Sequence, residues 1–370
     1  MRSYDALYKH KKDYLMIKVI HTRCQPWLHK NAKCRLCADV CPVEGCISFN
    51  EDAITIDNDI CIGCGICTNV CPTSALVMDN LSDRELLQKI ETCITADDKD
   101  VVFGCSLGSQ KDSRLATHDS RLSINLPCLA ILKESHLASI VLSGAKNIYI
   151  DTMGCNDCSF KYGKMVIEQS ISYANNLLKA AGYEDCIKTD HRPQAADCSK
   201  KGKKQNIKTI TPVPEYSRRE LLYFFKEKAV ERIIGDNENK GGDKKTENIP
   251  DRRSILLETF NKVGNNLQTA KIEHGSFPVN QLVIGENCTL CHDCNLFCPT
   301  GALTRVEEYG EVRIDFNMAL CMGCYECKEL CPEDVIDKQG AIDINRIFNN
   351  EVKTIFKKKT EVCPSCGKTF

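Results

Sequence analysis

The sequence predicts an α+β chain in which two small cysteine-rich modules stand on either side of an α/β domain with a parallel sheet. Three observations carry this. The 370 residues include 26 cysteines, and most of them fall in C-x2-C spacings. One cysteine pattern repeats: "CIGCGICTNVCPTSAL" (Cys61 to Leu76) matches "CTLCHDCNLFCPTGAL" (Cys288 to Leu303), and "CMGCYECKELCPEDVI" (Cys321 to Ile336) is a third copy. Between the repeats lie apolar runs that each end at a cysteine, the pattern of buried strands that share one sheet edge.

The first module is expected over residues 1–80. It holds an irregular fourth copy, "HTRCQPWLHKNAKCRLCADVCP" (His21 to Pro42). Cys34, Cys37 and Cys41-Pro42 keep C-x2-C-x3-C-P, but Asn31 stands where a first cysteine belongs. Alternating apolar positions in "CISFNEDAITID" predict a hairpin. The α/β domain is expected over 81–195. "DVVFGC", "LSINLPC" and "KNIYIDTMGC" read as strands ending near Cys105, Cys128 and Cys155, with the helix-like "LAILKESHLASIVLSGA" between the last two. "GKMVIEQSISYANNLLKAAGYED" reads as an amphipathic helix stopped near Gly182. Residues 196–280 read as a basic, solvated linker with short helices. One helix starts at a capping box in "SRREL" and runs to about Ile234, "NENKGGDKKTENIP" is a loop, and "DRRSILLETFNKVG" is a second helix. The second module spans 281–345, with a hairpin at "VEEYGEVRIDF". A tail, 346–370, ends in "CPSCGK".

Three cysteines at C-x2-C-x2-C wrap three corners of one [4Fe-4S] cube, and the following C-x3-C-P cysteine reaches a second cube. By that rule Cys288, Cys291, Cys294 and Cys331 form one set, and Cys321, Cys324, Cys327 and Cys298 another. Structural zinc prefers separated C-x2-C pairs, so both sets are read as cluster ligands. In the first module Cys61, Cys64, Cys67 and Cys41 are complete. Cys34, Cys37 and Cys71 need a fourth thiol, and Cys24 is assigned to it, because "QPWLHKNAK" can loop over the cluster and return that thiolate. Cys46, just after the Pro42 turn, is the alternative, followed by a three-iron or open site. These modules resemble bacterial-type 2[4Fe-4S] ferredoxins, the second throughout and the first with its opening cysteine displaced by a loop, as in some ferredoxin-like proteins.

In the middle, "FGC…LPC…GCNDC" resembles the iron–sulfur (delta) subunit of methyl-viologen-reducing hydrogenase over about residues 100–165, with the matching order at Cys128, Gly144 and Gly154-Cys155. The resemblance implies a [2Fe-2S] cluster on Cys105, Cys128, Cys155 and Cys158, and a link between a hydrogenase and heterodisulfide reductase. The sequence departs from that family in its tight Cys155-x2-Cys158 pair and in a first strand ending on one cysteine. A thiolate quartet suits either iron or zinc, so [2Fe-2S], zinc and unmetallated thiols all stand. Cys363 and Cys366 are half of a zinc site that Cys186 and Cys198, or a partner chain, would complete. Cys93, in a helix-like stretch, reads as a core thiol.

Charge and composition exclude several classes. There is no amino-terminal signal pattern and no apolar run of about 18 residues. A long chain with bunched cysteines points to metal ligation in a reducing cytoplasm, not to a disulfide scaffold. Residues 199–280 carry 17 Lys/Arg against 11 acids, but no aromatics interleave them as nucleic-acid binding needs. Residues 24–80 hold 7 acids against 3 bases and residues 281–335 hold 10 against 3, so both modules are suited to dock on basic partners. No G-x-G-x-x-G loop or catalytic constellation stands out, and His292, inside a cluster motif, is expected to tune hydrogen bonding there. The expectation is a non-catalytic electron-transfer subunit of an anaerobic oxidoreductase complex, with four [4Fe-4S] clusters and a [2Fe-2S]. By resemblance, its partners are a hydrogenase, a formate dehydrogenase or a heterodisulfide-reductase-like flavoprotein. The rivals are a thiol/disulfide reductase acting at Cys155 and Cys158, and a cluster-bearing redox sensor or scaffold.

Overall fold

The structure, a computed structural model, describes residues 16–29, 32–50, 54–79, 81–94, 100–105, 122–160, 162–189, 207–209, 249–263, 271–273, 275–308 and 310–359. The helix at "SRREL", its capping box, most of "NENKGGDKKTENIP", Asn31, Cys198, Cys363 and Cys366 lie outside the described residues.

The first module runs β1 (Ile17–Val19), α1 (Gln25–Leu28), α2 (Leu36–Asp39), β2 (Ile47–Phe49), β3 (Ile54–Ile56), α3 (Ile66–Val70) and β4 (Leu76–Met78). β1 pairs antiparallel with β4, Ile17 opposite Met78, so the two ends of the module close on each other. β2 and β3 form the expected hairpin, with Ile47 opposite Ile56. α2 and α3 follow from the motif: each holds one cysteine, Cys37 or Cys67, and the Cys-Pro after it, Cys41 or Cys71, belongs to the other set and ends the run.

The middle domain opens with α4 (Asp83–Cys93), started by a capping box that the sequence reading passed over. The Ser82 side chain accepts the Glu85 N–H, and the Ser82 N–H donates to Glu85 Oε2 at 2.7 Å. β5 (Asp100–Cys105), β6 (Leu122–Leu126), α5 (Glu134–Leu142), β7 (Asn147–Ile150), α6 (Tyr162–Ala180), β8 (Ile187–Thr189) and β9 (Ile207–Thr209) follow. The strands make one five-stranded parallel sheet in the order β8-β7-β5-β6-β9. Its central strands bury alternate apolar residues: Val101 and Phe103, Ile124 and Leu126, Ile148 and Ile150. Gly182, at φ +86°, stops α6 where the sequence placed the stop.

α7 (Asp251–Val263) is the second helix expected in "DRRSILLETFNKVG", but it belongs to the packed body where the sequence predicts a solvated stretch. It packs against α4 and α5, with Ile255, Leu256 and Phe260 buried. Its two arginines are buried because each finds fixed partners. Arg252 forks onto Glu134 at 2.6 and 2.8 Å and donates to the Asn69 carbonyl at 2.7 Å. Arg253 donates to the carbonyls of Cys321 at 2.6 Å and Pro278 at 2.7 Å. One helix thus ties the first module, the sheet domain and the second module together.

The second module contains β10 (Lys271–Ile272), β11 (Leu282–Ile284), α8 (Asp293–Leu296), β12 (Leu303–Glu308), β13 (Glu311–Asn317), α9 (Glu326–Glu329), β14 (Ile336–Lys338), β15 (Ile342–Asp343), α10 (Ile344–Phe348) and β16 (Val352–Lys359). β11 pairs antiparallel with β14, Ile284 opposite Ile336, repeating the β1–β4 closure. The expected hairpin is β12–β13, and β16 adds a third strand to it. α10 reaches back to α7, where Phe260 and Phe348 stack at 4.3 Å.

Candidate metal centres

The repeated motif folds each time into a loop with two left-handed residues: Gly63 and Gly65, Leu290 and His292, Gly323 and Tyr325, all at φ between 59° and 80°. This conformation turns the backbone around the space between the thiols and aims N–H groups at sulfur. The Gly63 N–H donates to Cys61 Sγ at 3.4 Å, and the Ala75 N–H to Cys71 Sγ at 3.2 Å.

Five thiol sets result, numbered here in chain order. In site 1, Cys24 is 6% exposed and faces Cys34 and Cys71, while Cys37 faces Cys71, Cys34 and Cys24. Burial pushes Cys24 up to about 11 and Cys37 up to about 12. Cys46 stands elsewhere: its thiol bonds to those of Cys41 and Cys61, and its Sγ lies 3.6 Å from the Asp57 carbonyl. Site 2 comprises Cys41, Cys61, Cys64 and Cys67, which together line one pocket with Cys46 as a fifth thiol on its wall. Burial raises Cys64 to about 12, whereas the Cys46 hydrogen bond lowers Cys41 to about 6.

Site 3 gathers the sheet cysteines at the carboxyl edge of the parallel strands. Cys105 ends β5, Cys128 follows β6, and Cys155 and Cys158 follow β7, Cys155 closing a 3-10 turn. The Cys105 and Cys128 thiols are hydrogen-bonded, and Cys155 faces Cys105 and Cys158. The Phe160 N–H points at Cys158 Sγ, 3.4 Å away. Cys186 precedes β8, at the opposite edge of the sheet, so it is separate from this set. Cys93 ends α4, half-buried against the core.

Site 4 is Cys288, Cys291, Cys294 and Cys331, which line a second pocket together with His292. His292 itself is exposed. Site 5 is Cys321, Cys324, Cys327 and Cys298, where Cys327 faces the other three. N–H groups of Asn280 and Gly323 approach the fully buried Cys321, although burial still raises that thiol.

The donor sets fit [4Fe-4S] groups: two cavities are each lined by four cysteines in the motif's own combination, and apolar walls and amide donors to sulfur surround them. Among the described residues no three His, Cys, Asp or Glu side chains converge as a single metal ion needs; the corners of a cube spread thiolates wider. Since the thiols are mostly held protonated by burial, loading each site must release protons.

Sequence reasoning missed two residues at these sites: Glu326 faces Cys24 and Cys34 from across the module boundary, and Arg253 grips the Cys321 carbonyl. Cys46, the alternative fourth thiol of site 1 on sequence grounds, stands beside site 2 instead.

Comparison with known proteins agrees with this arrangement. Residues 54–77 match the 4Fe-4S binding domain, residues 287–335 the 4Fe-4S dicluster domain, and residues 103–206 the family described as methyl-viologen-reducing hydrogenase, delta subunit. The chain is 47% identical over 49 residues to Ferredoxin 7Fe of Hydrogenibacillus schlegelii, 13% of this chain and 62% of that protein. It is 31% identical over 85 residues to the Pyruvate synthase subunit PorD of Methanocaldococcus jannaschii, 23% of this chain and 88% of that protein. A sulfite dehydrogenase subunit of Allochromatium vinosum is 29% identical over 119 residues, 29% of this chain and 48% of that protein. The chain thus spans less than two thirds of the first and third of these relatives. No solved structure matches the chain significantly. No helix among the described residues is long and apolar enough to cross a membrane. The chain belongs to the 4Fe-4S ferredoxins, with two 4Fe-4S units flanking a unit of the methyl-viologen-reducing hydrogenase delta-subunit family.

Proposed function

We propose that this chain is a multi-cluster electron-transfer subunit in which sites 1, 2, 4 and 5 each hold a [4Fe-4S] cluster and site 3 holds a [2Fe-2S]. The observation that carries the reading is the gathering of the motif cysteines into quartets, two of them lining a common pocket. Each cluster supplies one-electron redox chemistry. The chain supplies the rest: thiolates, amide donors to sulfur, apolar walls that exclude water, and fixed spacing. The placement of Cys24 among Cys34, Cys37 and Cys71 supports it as the displaced first ligand of site 1. Domain limits at about residues 80, 195, 280 and 345 go with this reading, except that α7 belongs to the packed body and not to a linker.

The partners are redox enzymes of a multi-subunit complex in a reducing cytoplasm. Two relatives are named as subunits, of pyruvate synthase and of sulfite dehydrogenase, and the delta-subunit family is named for a hydrogenase. A hydrogenase fits the family name, a formate dehydrogenase or a heterodisulfide-reductase-like flavoprotein is the other partner class, and the acidic modules suit docking on basic surfaces of any of them. The site 3 thiols form one group, which supports a cluster over an isolated Cys155–Cys158 redox pair. Anaerobically purified or reconstituted protein is expected to carry about 16 to 18 irons per chain. Iron near about 8 per chain would leave two cubanes and overturn the reading.

A further inference from the structure

The five sites are not scattered. Site 3 lies against site 2: Cys128 and Cys64 belong to one packed group with Val40, Ile66, Ala130 and Val166. A Cβ on Gly163 would lie 3.6 Å from both Cys128 Sγ and Ile66 Cδ1. Asn69, between the site 2 and site 1 cysteines of α3, clamps this seam by donating to the carbonyls of Ala130 at 2.8 Å and Leu132 at 2.9 Å. Sites 2 and 1 interleave, since α2 and the turn after it carry Cys37 and Cys41 while α3 and its cap carry Cys67 and Cys71. Sites 5 and 4 interleave in the same way around α8 and α9.

The seam between the modules is made by sites 1 and 5. His29, in the loop after Cys24, meets Phe297, beside Cys298, edge to face at 4.6 Å. Glu326, next to Cys327, is 8% exposed, with Oε2 unpartnered among the described residues. It faces Cys24 and Cys34 of the other module. Arg252 and Arg253, successive residues of α7, hold Asn69 on one side of the seam and Cys321 on the other. Both ends of the arrangement reach the surface. Cys291 and Leu296 are exposed at site 4, and Met153, in the 3-10 turn that ends at Cys155 of site 3, is 40% exposed.

We propose that the sites form one unbranched row, 3–2–1–5–4, in which the two ferredoxin modules meet end to end at sites 1 and 5 and the Arg252–Arg253 pair holds that seam. This rests on the cluster reading above and adds an order to it. A partner donor or acceptor of one electron then meets the row at site 3 or site 4. Along the row one electron leaves a site as the next gains it, with no bond made or broken. Arg252 and Arg253 are positioning residues.

The test uses the full chain, loaded with iron and sulfide and reduced under anaerobic conditions. Iron analysis and electron paramagnetic resonance are compared for the wild type, Cys34→Ser (site 1) and Cys61→Ser (site 2). Signals of the second module are assigned by their loss in Cys324→Ser. Each variant is expected to lose about four irons per chain. In Cys34→Ser the second-module signals should narrow and relax more slowly, because site 5 has lost a magnetic neighbour. In Cys61→Ser they should stay as in the wild type. Second-module signals that are identical in all three proteins overturn the row, whereas iron that falls in neither variant overturns the ligand sets instead. Should Cys34→Ser not fold, Glu326→Gln keeps the question open to measurement. With full iron it should raise the reduction potential of one cubane in each module, and a shift confined to one module, or none, overturns the seam. Arg253→Gln with full iron should weaken the coupling between modules, and Arg253→Lys should restore part of it. Coupling unchanged in Arg253→Gln removes the arginine's role.

Discussion

The two ferredoxin modules share a backbone and differ in their surroundings. Each closes a first strand on a last strand, β1 on β4 and β11 on β14, and each wraps its thiols with paired left-handed residues. The first module is held between the sheet domain and the second module, while the second presents Cys291 and Leu296 to solvent. The motif therefore fixes the thiol cage, and the neighbours decide which other residues the cage tolerates. In the first module Cys24 stands beside Cys34 and Cys71, and the segment after it brings His29 to the second module. On the ligand set proposed above, a displaced ligand and an intermodule contact are two results of one departure from the repeat.

The strongest way to break this comparison is at the irregular quartet. Cys24→Ser is expected to remove one cubane, about four irons per chain, and to leave the second module's signals present. Cys46→Ser should keep the full iron count, because its thiol stands beside site 2, whose four cysteines are complete. Iron analysis with resonance spectra decides. If Cys46→Ser loses the iron and Cys24→Ser does not, the irregular module is not a displaced version of the regular one.

Next in size is the brace that holds the modules in register. Arg252 and Glu134 are a buried bidentate pair, with side-chain exposures of 7% and 2%. Arg252→Ala leaves that carboxylate buried and unpaired, a change that costs about 3–5 kcal/mol. Denaturant unfolding of the loaded chain measures it. Arg84, which bonds to Glu258 on the surface, should cost about 0–1 kcal/mol when changed to Ala. The pair also sets a pH dependence. Burial pushes the Glu134 carboxyl up, but the charge and hydrogen bonds of Arg252 outweigh it and hold it below the usual range. Asp83 beside Lys133 behaves alike. A carboxyl depressed in the folded state contributes stability above its unfolded value of about 4, and that stability is lost as pH falls through the lower folded value. Acid should therefore loosen the brace below about pH 4. A stability flat from pH 6 to 3 would show that the two pairs contribute nothing.

Much of this was legible in the sequence, for a physical reason. Ferredoxin ligands are supplied by local spacing, so the repeats in "CIGCGIC" and "CTLCHDC" announce both quartets and the hairpins between them. Strand-like runs ending at Cys105 and Cys128, with a helix-like run before the next strand, announce a parallel sheet because parallel strands need such crossovers. The brace was not legible. Arg252 and Arg253 look solvated in "PDRRSI", inside a basic stretch, because their partners Glu134 and Cys321 are 118 and 68 residues away. Cys46 was misleading for a related reason. Spacing sends the chain away after Pro42, whereas the turn ending at Gly45, φ +76°, folds the thiol back onto Cys41.

The smallest expected effects separate backbone strain from packing in the repeated loop. Gly65, His292 and Tyr325 occupy one motif position and share a left-handed conformation, at φ 73°, 80° and 65°. Conformation alone therefore does not demand glycine. Space does: a Cβ on Gly65 would lie 2.3 Å from Ile131 Cγ2 of the sheet domain. His292 sits at the exposed end, where a side chain has room. Gly65→Ala should cost about 1–3 kcal/mol from forcing Ile131 aside, with about 1 kcal/mol more from the left-handed backbone. His292→Gly removes the same backbone strain and touches no neighbouring domain, so it should stabilise the loaded chain by about 1 kcal/mol or less. Denaturation midpoints of the two variants, compared at equal iron content, test this. A Gly65→Ala cost no larger than the His292→Gly gain would mean that the loop conformation, and not the packed sheet domain, selects glycine in the first module.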